Sequence, residues 1–301
     1  MVNAKKKRGL RERLGDRVFY GVCMAMITLM GVACLYPYLN LVAKSLSGSA
    51  AVSAGRVLGV WPIDFTLSSY AYVLHSARFT RAIGFTALIT VVGTVLNLAL
   101  TVFVAYAVSR RDMPGSRVIM LGYLITMLFG GGMIPTFLVV QGLGMVDTFW
   151  ALIIPGLMSA YNMFILRNYF QQLPPELEES AYIDGATPPV ALLFIILPIS
   201  APSLAAIAMF YAVGNWNSYL DCLLYTNSGD LQVLQIYLRN LIDSAGAMDS
   251  IASISGKETS QLSAETVKMT TIAVSIIPIL IIYPFLQRFY TKGITVGAVK
   301  G

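Results

Sequence analysis

Six stretches of this chain are long and apolar enough to cross a lipid bilayer, and that restricts the fold before anything else does. A transmembrane helix needs about 20 consecutive, mainly apolar residues. The stretches run from about Val18 to Ala43, Ala82 to Val108, Val118 to Val140, Phe149 to Leu166, Ile199 to Leu220 and Met269 to Leu286. Lipid offers no partner to a backbone N–H or C=O group, so each span is expected as a helix. The expected fold class is an all-α integral membrane protein with six transmembrane helices. Composition agrees, with 56% hydrophobic residues, 12% charged and a mean hydropathy of +0.70. A soluble domain is about a quarter charged. Soluble enzymes, disordered proteins and nucleic-acid modules are excluded.

Charge placement orients the spans. Seven of the 21 Lys and Arg residues fall within the first 17 positions, just before the first apolar run. That run is too long for the roughly 7–15 residue core of a signal peptide, and no clear A-x-A site ends it, so it reads as an uncleaved span. With the N-terminus cytoplasmic, the inner segments are 1–17, 109–117, 167–198 and 288–301. They hold 14 of the 21 basic residues. The positive-inside rule then puts both termini in the cytoplasm. The expected organisation is a basic cytoplasmic N-terminus, 1–17, followed by one six-helix membrane domain, 18–301. Long outer loops are expected at 45–80 and 221–268. Cys23, Cys34 and Cys222 read as reduced, buried thiols.

One inner loop departs from the basic pattern. Segment 167–198 sets Arg167 against Glu176, Glu178, Glu179 and Asp184. A basic protein partner would account for this acidity; a solvated helix face is the alternative. Within 174–198, Pro175 suits a helix start and the three glutamates suit its first turns. Gly185 is placed to end the helix in the left-handed conformation. Thr187 and Pro188 suit the start of a second helix. Two short helices meeting at a sharp turn fit insertion into a groove on a partner.

Glu179, Ser180, Ala181, Asp184, Gly185, Ile195, Leu197 and Pro198 lie in a stretch that resembles the pattern E-A-A-x3-G-x9-I-x-L-P. That pattern is the EAA loop of permease subunits of ATP-binding-cassette importers. Ser180 stands where the pattern has Ala. The chain is also similar to the carbohydrate-uptake branch, which contains the maltose transporter's smaller permease subunit, and within it to Gram-positive polysaccharide and oligosaccharide permeases. Gly131 to Pro135, Leu143 to Thr148, Gly214 to Ser218 and Lys292 to Gly301 carry this likeness. The resemblance implies the type I permease fold in a bacterial cell membrane. It also implies a second permease subunit, two cytoplasmic ATPases and an extracytoplasmic solute-binding protein. The EAA stretch would be the coupling loop, with Glu179 facing a basic ATPase residue.

No G-x4-G-K-[ST] sequence occurs, so no ATP site is expected on this chain. ATP and Mg would be bound by the partner ATPase. With a single histidine, His75, no metal site or cofactor is expected. Within or beside the spans, Asn97, Tyr123, Tyr161, Asn162, Tyr211, Asn215, Trp216, Asn217 and Tyr219 are polar or amphipathic. Amides and flat aromatic rings suit sugar hydroxyls and ring faces. Tyr161, Asn162, Asn215, Trp216, Asn217 and Tyr219 are the substrate-path candidates. The alternative is that they link helices or sit at the membrane interface. Gly130, Gly131, Gly132 and Pro135 break the third span and are hinge candidates; close helix packing is the alternative. An importer of amino acids or phosphate shares the loop pattern and stays open, as does a channel or sensor membrane domain. The expected solute is an oligosaccharide.

Overall fold

The computed structural model describes residues 14–110, 112–255 and 263–298. Most of the basic N-terminus and the final Lys300 and Gly301 therefore lie outside the described residues. The helices, in chain order, are α1 (Leu14–Ser45), α2 (Ser49–Ser53), α3 (Ser68–His75), α4 (Ala77–Ser109), α5 (Ser116–Leu128) and α6 (Met133–Gly142). They continue with α7 (Ala160–Gln171), α8 (Glu176–Ile183), α9 (Pro188–Ala191), α10 (Leu197–Ile199), α11 (Ala201–Trp216), α12 (Tyr219–Tyr225), α13 (Leu234–Ser255) and α14 (Ala264–Ala298). Among the described residues there is no strand.

Three helices are long and apolar enough to cross a membrane alone: Arg17–Ser45, Ala77–Ser109 and Ala264–Ile282. Two bent pairs also qualify if each is counted as one span. These are α5 with α6, bent by 117°, and Pro188–Ile199 with α11, bent by 86°. The described residues thus give three to five candidate spans. The stretch from Phe149 to Leu166, expected as a fourth span interrupted at Pro155, is not one helix. A 3-10 turn covers Phe149–Leu152, the chain then runs irregularly, and α7 starts at Ala160. Pro155 has no N–H to give a helix, and Gly156 follows it.

The chain forms two compact units, Met1–Ala71 with Lys257–Ala273, and Tyr72–Gly256 with Val274–Gly301. In the first, the long loop after α1 is tied down by named bonds. The Ser47 hydroxyl accepts from the Ile63 amide at 3.0 Å, and Asn40 donates to the Gly59 carbonyl at 2.7 Å. Ala43, Ala51, Val52 and Val57 form its small core. Lys44 pairs with Glu265 at 2.8 Å, joining the end of α1 to the start of α14.

In the second unit α4 is the axis, packed by α7 and α11. Val102, Ala105, Tyr106 and Val108 of α4 bury against Met163, Leu166 and Phe170 of α7, and against Leu192 and Ile196. Deeper in α4, Asn97 holds the broken segment. Its amide nitrogen donates to the carbonyls of Gly156, at 2.7 Å, and Leu157, at 2.8 Å. Its oxygen accepts from Asn215 of α11 at 3.2 Å. Gly93 makes that approach possible, because a Cβ there would stand 2.7 Å from the Asn215 nitrogen. The Tyr211 hydroxyl accepts from the Ser159 amide at 3.0 Å and pairs with Thr101 at 2.7 Å. Asn97 is 2% exposed, so these bonds form away from water.

The ends of α4 meet different parts of the chain. At the Ala77 end, the Thr86 hydroxyl accepts from the Leu234 amide at 2.8 Å, and Arg81 pairs with Asp230. At the Ser109 end, Arg110 pairs with Glu178. About 24 residues of helix separate Thr86 from Arg110, a rise of about 36 Å. Segment 174–183 and the start of segment 221–268 therefore lie at opposite ends of one membrane-length helix.

Asn97→Leu would remove the donor for two buried carbonyls and the acceptor for Asn215. Leaving such groups unpaired costs about 1–3 kcal/mol each. The variant is expected to melt at a clearly lower temperature in detergent than the parent protein. An unchanged melting temperature would mean that the broken segment does not depend on Asn97.

Candidate functional site

The segment from Pro175 to Pro198 folds as its residues dictate. Glu176, Glu178 and Glu179 occupy the first turn of α8, where the helix dipole favours negative charge. Gly185 follows with φ +85°, the left-handed conformation that glycine adopts without strain. The Gly185 amide donates to the Tyr182 carbonyl at 3.0 Å, and the Ala186 amide to the Ala181 carbonyl at 2.9 Å. Thr187 precedes α9, but its side chain makes no capping bond; Pro188 at the first position shapes the start. A π-helical turn, Leu192–Ile196, comes just before Pro198, and the chain then bends at Ser200.

Helix α8 has two faces. Glu176, Glu179, Ser180, Ile183 and Asp184 are exposed, and Ile183 is 86% exposed. Glu178, Ala181 and Tyr182 turn toward the chain's own core, with Ala181 buried. Of the coupling candidates, then, Glu179, Ser180, Asp184, Gly185 and Pro198 are open to a partner. Ile195 and Leu197 are half-buried, and Leu197 packs against the core around Tyr106. The exposed Ile183 and Phe194 add apolar surface to the acidic one.

Sequence reasoning missed what holds the inner face. Arg110 donates to Glu178, to the Tyr182 hydroxyl at 2.9 Å and to the Tyr106 hydroxyl at 3.2 Å. Its guanidinium carbon lies 5.7 Å from the Tyr106 ring centre and 5.5 Å from that of Tyr182. The available signal was the i, i+4 spacing of Glu178 and Tyr182, and of Tyr106 and Arg110, which puts each pair on one helix face.

The substrate-path candidates do not form one cluster. Asn215 is engaged with Asn97 and with Thr94 at 3.4 Å, and Trp216 is buried. Both serve packing. Asn162 is 5% exposed, at the start of α7, where its amide donates to the capping Ser159 hydroxyl at 3.3 Å. Tyr161 beside it is 58% exposed. Asn217 and Tyr219 are joined to α13 instead. The Asn217 oxygen accepts from Gln235 at 3.2 Å, and Arg239 donates to the Tyr219 hydroxyl while lying 5.5 Å above its ring. In this patch Asn217 and Arg239 are exposed, while Tyr219 and Gln235 are half-buried. Nearby, Asp147 sits at φ 62° and accepts from the amides of Asn227 and Ser228 at 3.0 and 2.9 Å. The Ser228 and Asn227 amides hold its carboxyl below the usual range. Asp147 thus closes the loop Leu143 to Thr148 onto the end of α12.

The glycine run lies at the 117° bend. Helix α5 stops at Leu128, α6 starts at Met133, and Gly132 has φ 87° with ψ 165°. Pro135 lies in the first turn of α6, and the Thr136 amide donates to the Gly132 carbonyl at 3.3 Å. A Cβ at Gly130 or Gly131 would meet nothing within 4 Å in this chain. Among the described residues, no three His, Cys, Asp or Glu side chains gather as metal ligands would.

A family model described as "Binding-protein-dependent transport system inner membrane component" matches residues 97–296. The chain is 37% identical over 292 residues to the polygalacturonan/rhamnogalacturonan transport system permease protein YtcP of Bacillus subtilis (strain 168), covering 97% of this chain and 100% of that protein. It is 39% identical over 288 residues to Protein LplC of the same strain, covering 95% and 96%. Among solved structures it is similar to a chain of a bacterial ABC transporter involved in the import of the acidic polysaccharide alginate. That likeness has a TM-score of 0.84 and 32% identity, and covers 94% of this chain and 99% of that one.

The glycines separate by conformation. Gly132 occupies a backbone region that is essentially closed to other residues, with a cost of about 1–3 kcal/mol for entering it. Gly132→Ala is expected to lower the melting temperature of the purified protein, while Gly131→Ala leaves it close to that of the parent. Equal effects at the two positions would contradict the conformational account.

Proposed function

The chain belongs to the family of binding-protein-dependent transport system inner membrane components, and from that premise we propose that it is one permease subunit of an ATP-driven oligosaccharide importer. It lies in a bacterial cell membrane. The single observation that carries the reading is the two-faced coupling segment. One face of α8 is fastened to α4, and the other presents Glu176, Glu179, Ser180, Ile183 and Asp184 outward. An exposed face combining acid and apolar surface fits a cytoplasmic ATPase cleft bearing a basic residue. ATP and Mg belong to that partner. The translocation path is shared with a second permease subunit, and an extracytoplasmic binding protein delivers the solute.

In this reading the membrane is crossed six times, with both termini cytoplasmic. The crossings are α1, α4, the α5–α6 pair, the segment from Phe149 through α7, the α9–α11 segment, and α14. Segment 221–268 faces outward and meets the binding protein. The placement of its first turns at the Ala77 end of α4, opposite Glu178, supports this. The names of the relatives favour a saccharide over an amino acid or phosphate. Polygalacturonan and alginate are polymers of uronic acids, so an acidic oligosaccharide is the first substrate to test. Arg78, exposed in the first turn of α4, supplies positive charge on the outward side, where Arg81 and Arg239 are paired with Asp230 and Asp243.

Gly185 permits the turn between α8 and α9, and a bulky residue at φ +85° would be strained there. In the reconstituted importer, Gly185→Leu is expected to reduce substrate-stimulated ATP hydrolysis by about tenfold or more, a coupling loss within the usual range. A Gly185→Leu complex that assembles and responds to saccharide at the full rate would overturn the coupling assignment.

A further inference from the structure

Arg110 does more than contribute a positive charge to a cytoplasmic loop. It is the C-cap residue of α4, in extended conformation, with its amide donating to the Ala107 carbonyl at 3.3 Å. From there its side chain leaves the helix axis and enters a cradle with two walls. One wall is Tyr106, one turn back on α4 and 8% exposed. The other is Tyr182, on the inner face of α8. The two phenol hydroxyls stand 3.5 Å apart, and the guanidinium donates to both. Glu178, one turn before Tyr182, closes the cradle with its carboxylate. The Arg110 and Glu178 side chains are 27% and 20% exposed. Asp112, 3.6 Å from the Arg110 Nε, is 80% exposed and makes a weaker, solvated contact.

This arrangement differs from a surface ion pair in three ways. One guanidinium nitrogen, Nη1, faces the Glu178 carboxylate and both phenol hydroxyls at once. Flat rings on two sides fix the guanidinium plane, which a lysine ammonium could not reproduce. The cradle also connects to the packed core: the Tyr106 ring stands edge-on to Phe170 of α7, 6.2 Å between centres, and buries against Leu192 and Ile196. A displacement of α8 therefore reaches α4 through a rigid, charged contact, and α7 through the ring packed on it.

We propose that Arg110 is a positioning residue that clamps the inner face of α8 to the end of α4, so that movement imposed on α8 by the ATPase is delivered to the transmembrane helices. This rests on the reading of Glu179 to Pro198 as the coupling segment. Without the clamp, α8 would shift alone within its loop. ATP would then be hydrolysed with less saccharide moved per turnover.

The test uses the complete importer in proteoliposomes. Parent, Arg110→Gln, Glu178→Gln, the double variant and Arg110→Lys are compared, with saccharide uptake divided by ATP hydrolysed. Each single Gln variant is expected to lower this ratio about fivefold or more, the lower end of usual coupling strengths. The double variant should be no worse than either single one, because both remove the same contact. Arg110→Lys should recover only part of the ratio. An unchanged ratio in Arg110→Gln overturns the clamp, as do additive losses in the double variant. A variant that assembles poorly, yet shows the parental ratio in the complexes that form, overturns it too, since the cradle would then serve folding alone. Failure of the parent chain to co-purify with any ATPase would instead sink the coupling reading on which the proposal rests.

Discussion

The fold depends on one constraint: backbone groups inside a membrane must find partners within protein. An unbroken helix meets it automatically, as in α4, whose 33 residues carry neither proline nor a chain break. This chain nevertheless interrupts its regular structure between α5 and α6 and between Leu152 and Ala160. The second interruption survives because Asn97 and Tyr211 reach into it from α4 and α11. Two carbonyls and one amide that a straight helix would have satisfied are satisfied by side chains instead. Gly93 then becomes necessary as well, since Asn215 lies where its Cβ would be.

The same helix organises both ends of the unit. At the Ala77 end, Thr86 and Arg81 hold the start of segment 221–268. At the Ser109 end, Arg110 holds α8. An ion pair of this kind, half-buried and ringed by tyrosines, is poor evidence for stability by itself, because desolvation offsets much of the attraction. Its value lies in geometry. It selects one orientation of α8, with Glu178 and Tyr182 inward and Glu179 and Ile183 outward. A helix of eight residues is too short to be stable alone in water, so its orientation has to come from such contacts.

Much of this was legible in the residues. The spans at α1, α4 and α14 are long apolar runs, and hydropathy finds them because length and composition suffice. The turn at Gly185 was legible too, since acids at a helix start and glycine at its end are local signals with local causes. The coupling candidates were read from a spaced pattern, and the outward placement of Glu179 and Ser180 on α8, with Ala181 inward, is what helical periodicity gives. The break between Phe149 and Ala160 was legible only as an interruption at Pro155. Pro155 and Gly156 weaken a helix there, yet the decision is made by Asn97 and Tyr211, more than 50 residues away on either side. Asn215 and Trp216 were ambiguous for a related reason. An amide or an indole in a span has the same composition whether it meets a sugar or another helix, and only packing distinguishes them. The Arg110–Glu178 contact spans 68 positions and leaves no local trace beyond two i, i+4 pairs.

The bend at Gly130 to Gly132 stands apart from the other interruption. Asn97 covers the segment around Gly156, but residues 129–134 are all exposed in the chain. No side chain packs within 4 Å of the Cβ positions of Gly130 or Gly131. Irregular backbone at membrane depth is tolerated only against protein or a water-filled cavity. The apolar side chains around it, Phe129 at 75% exposure and Ile134 at 73%, are equally uncovered. The chain therefore satisfies the break around Gly156 internally and leaves the glycine bend to its surroundings. A second permease subunit, as proposed for the complex, would place protein and a shared path against such a surface. In that arrangement the glycine bend belongs to the assembly rather than to the fold of one chain.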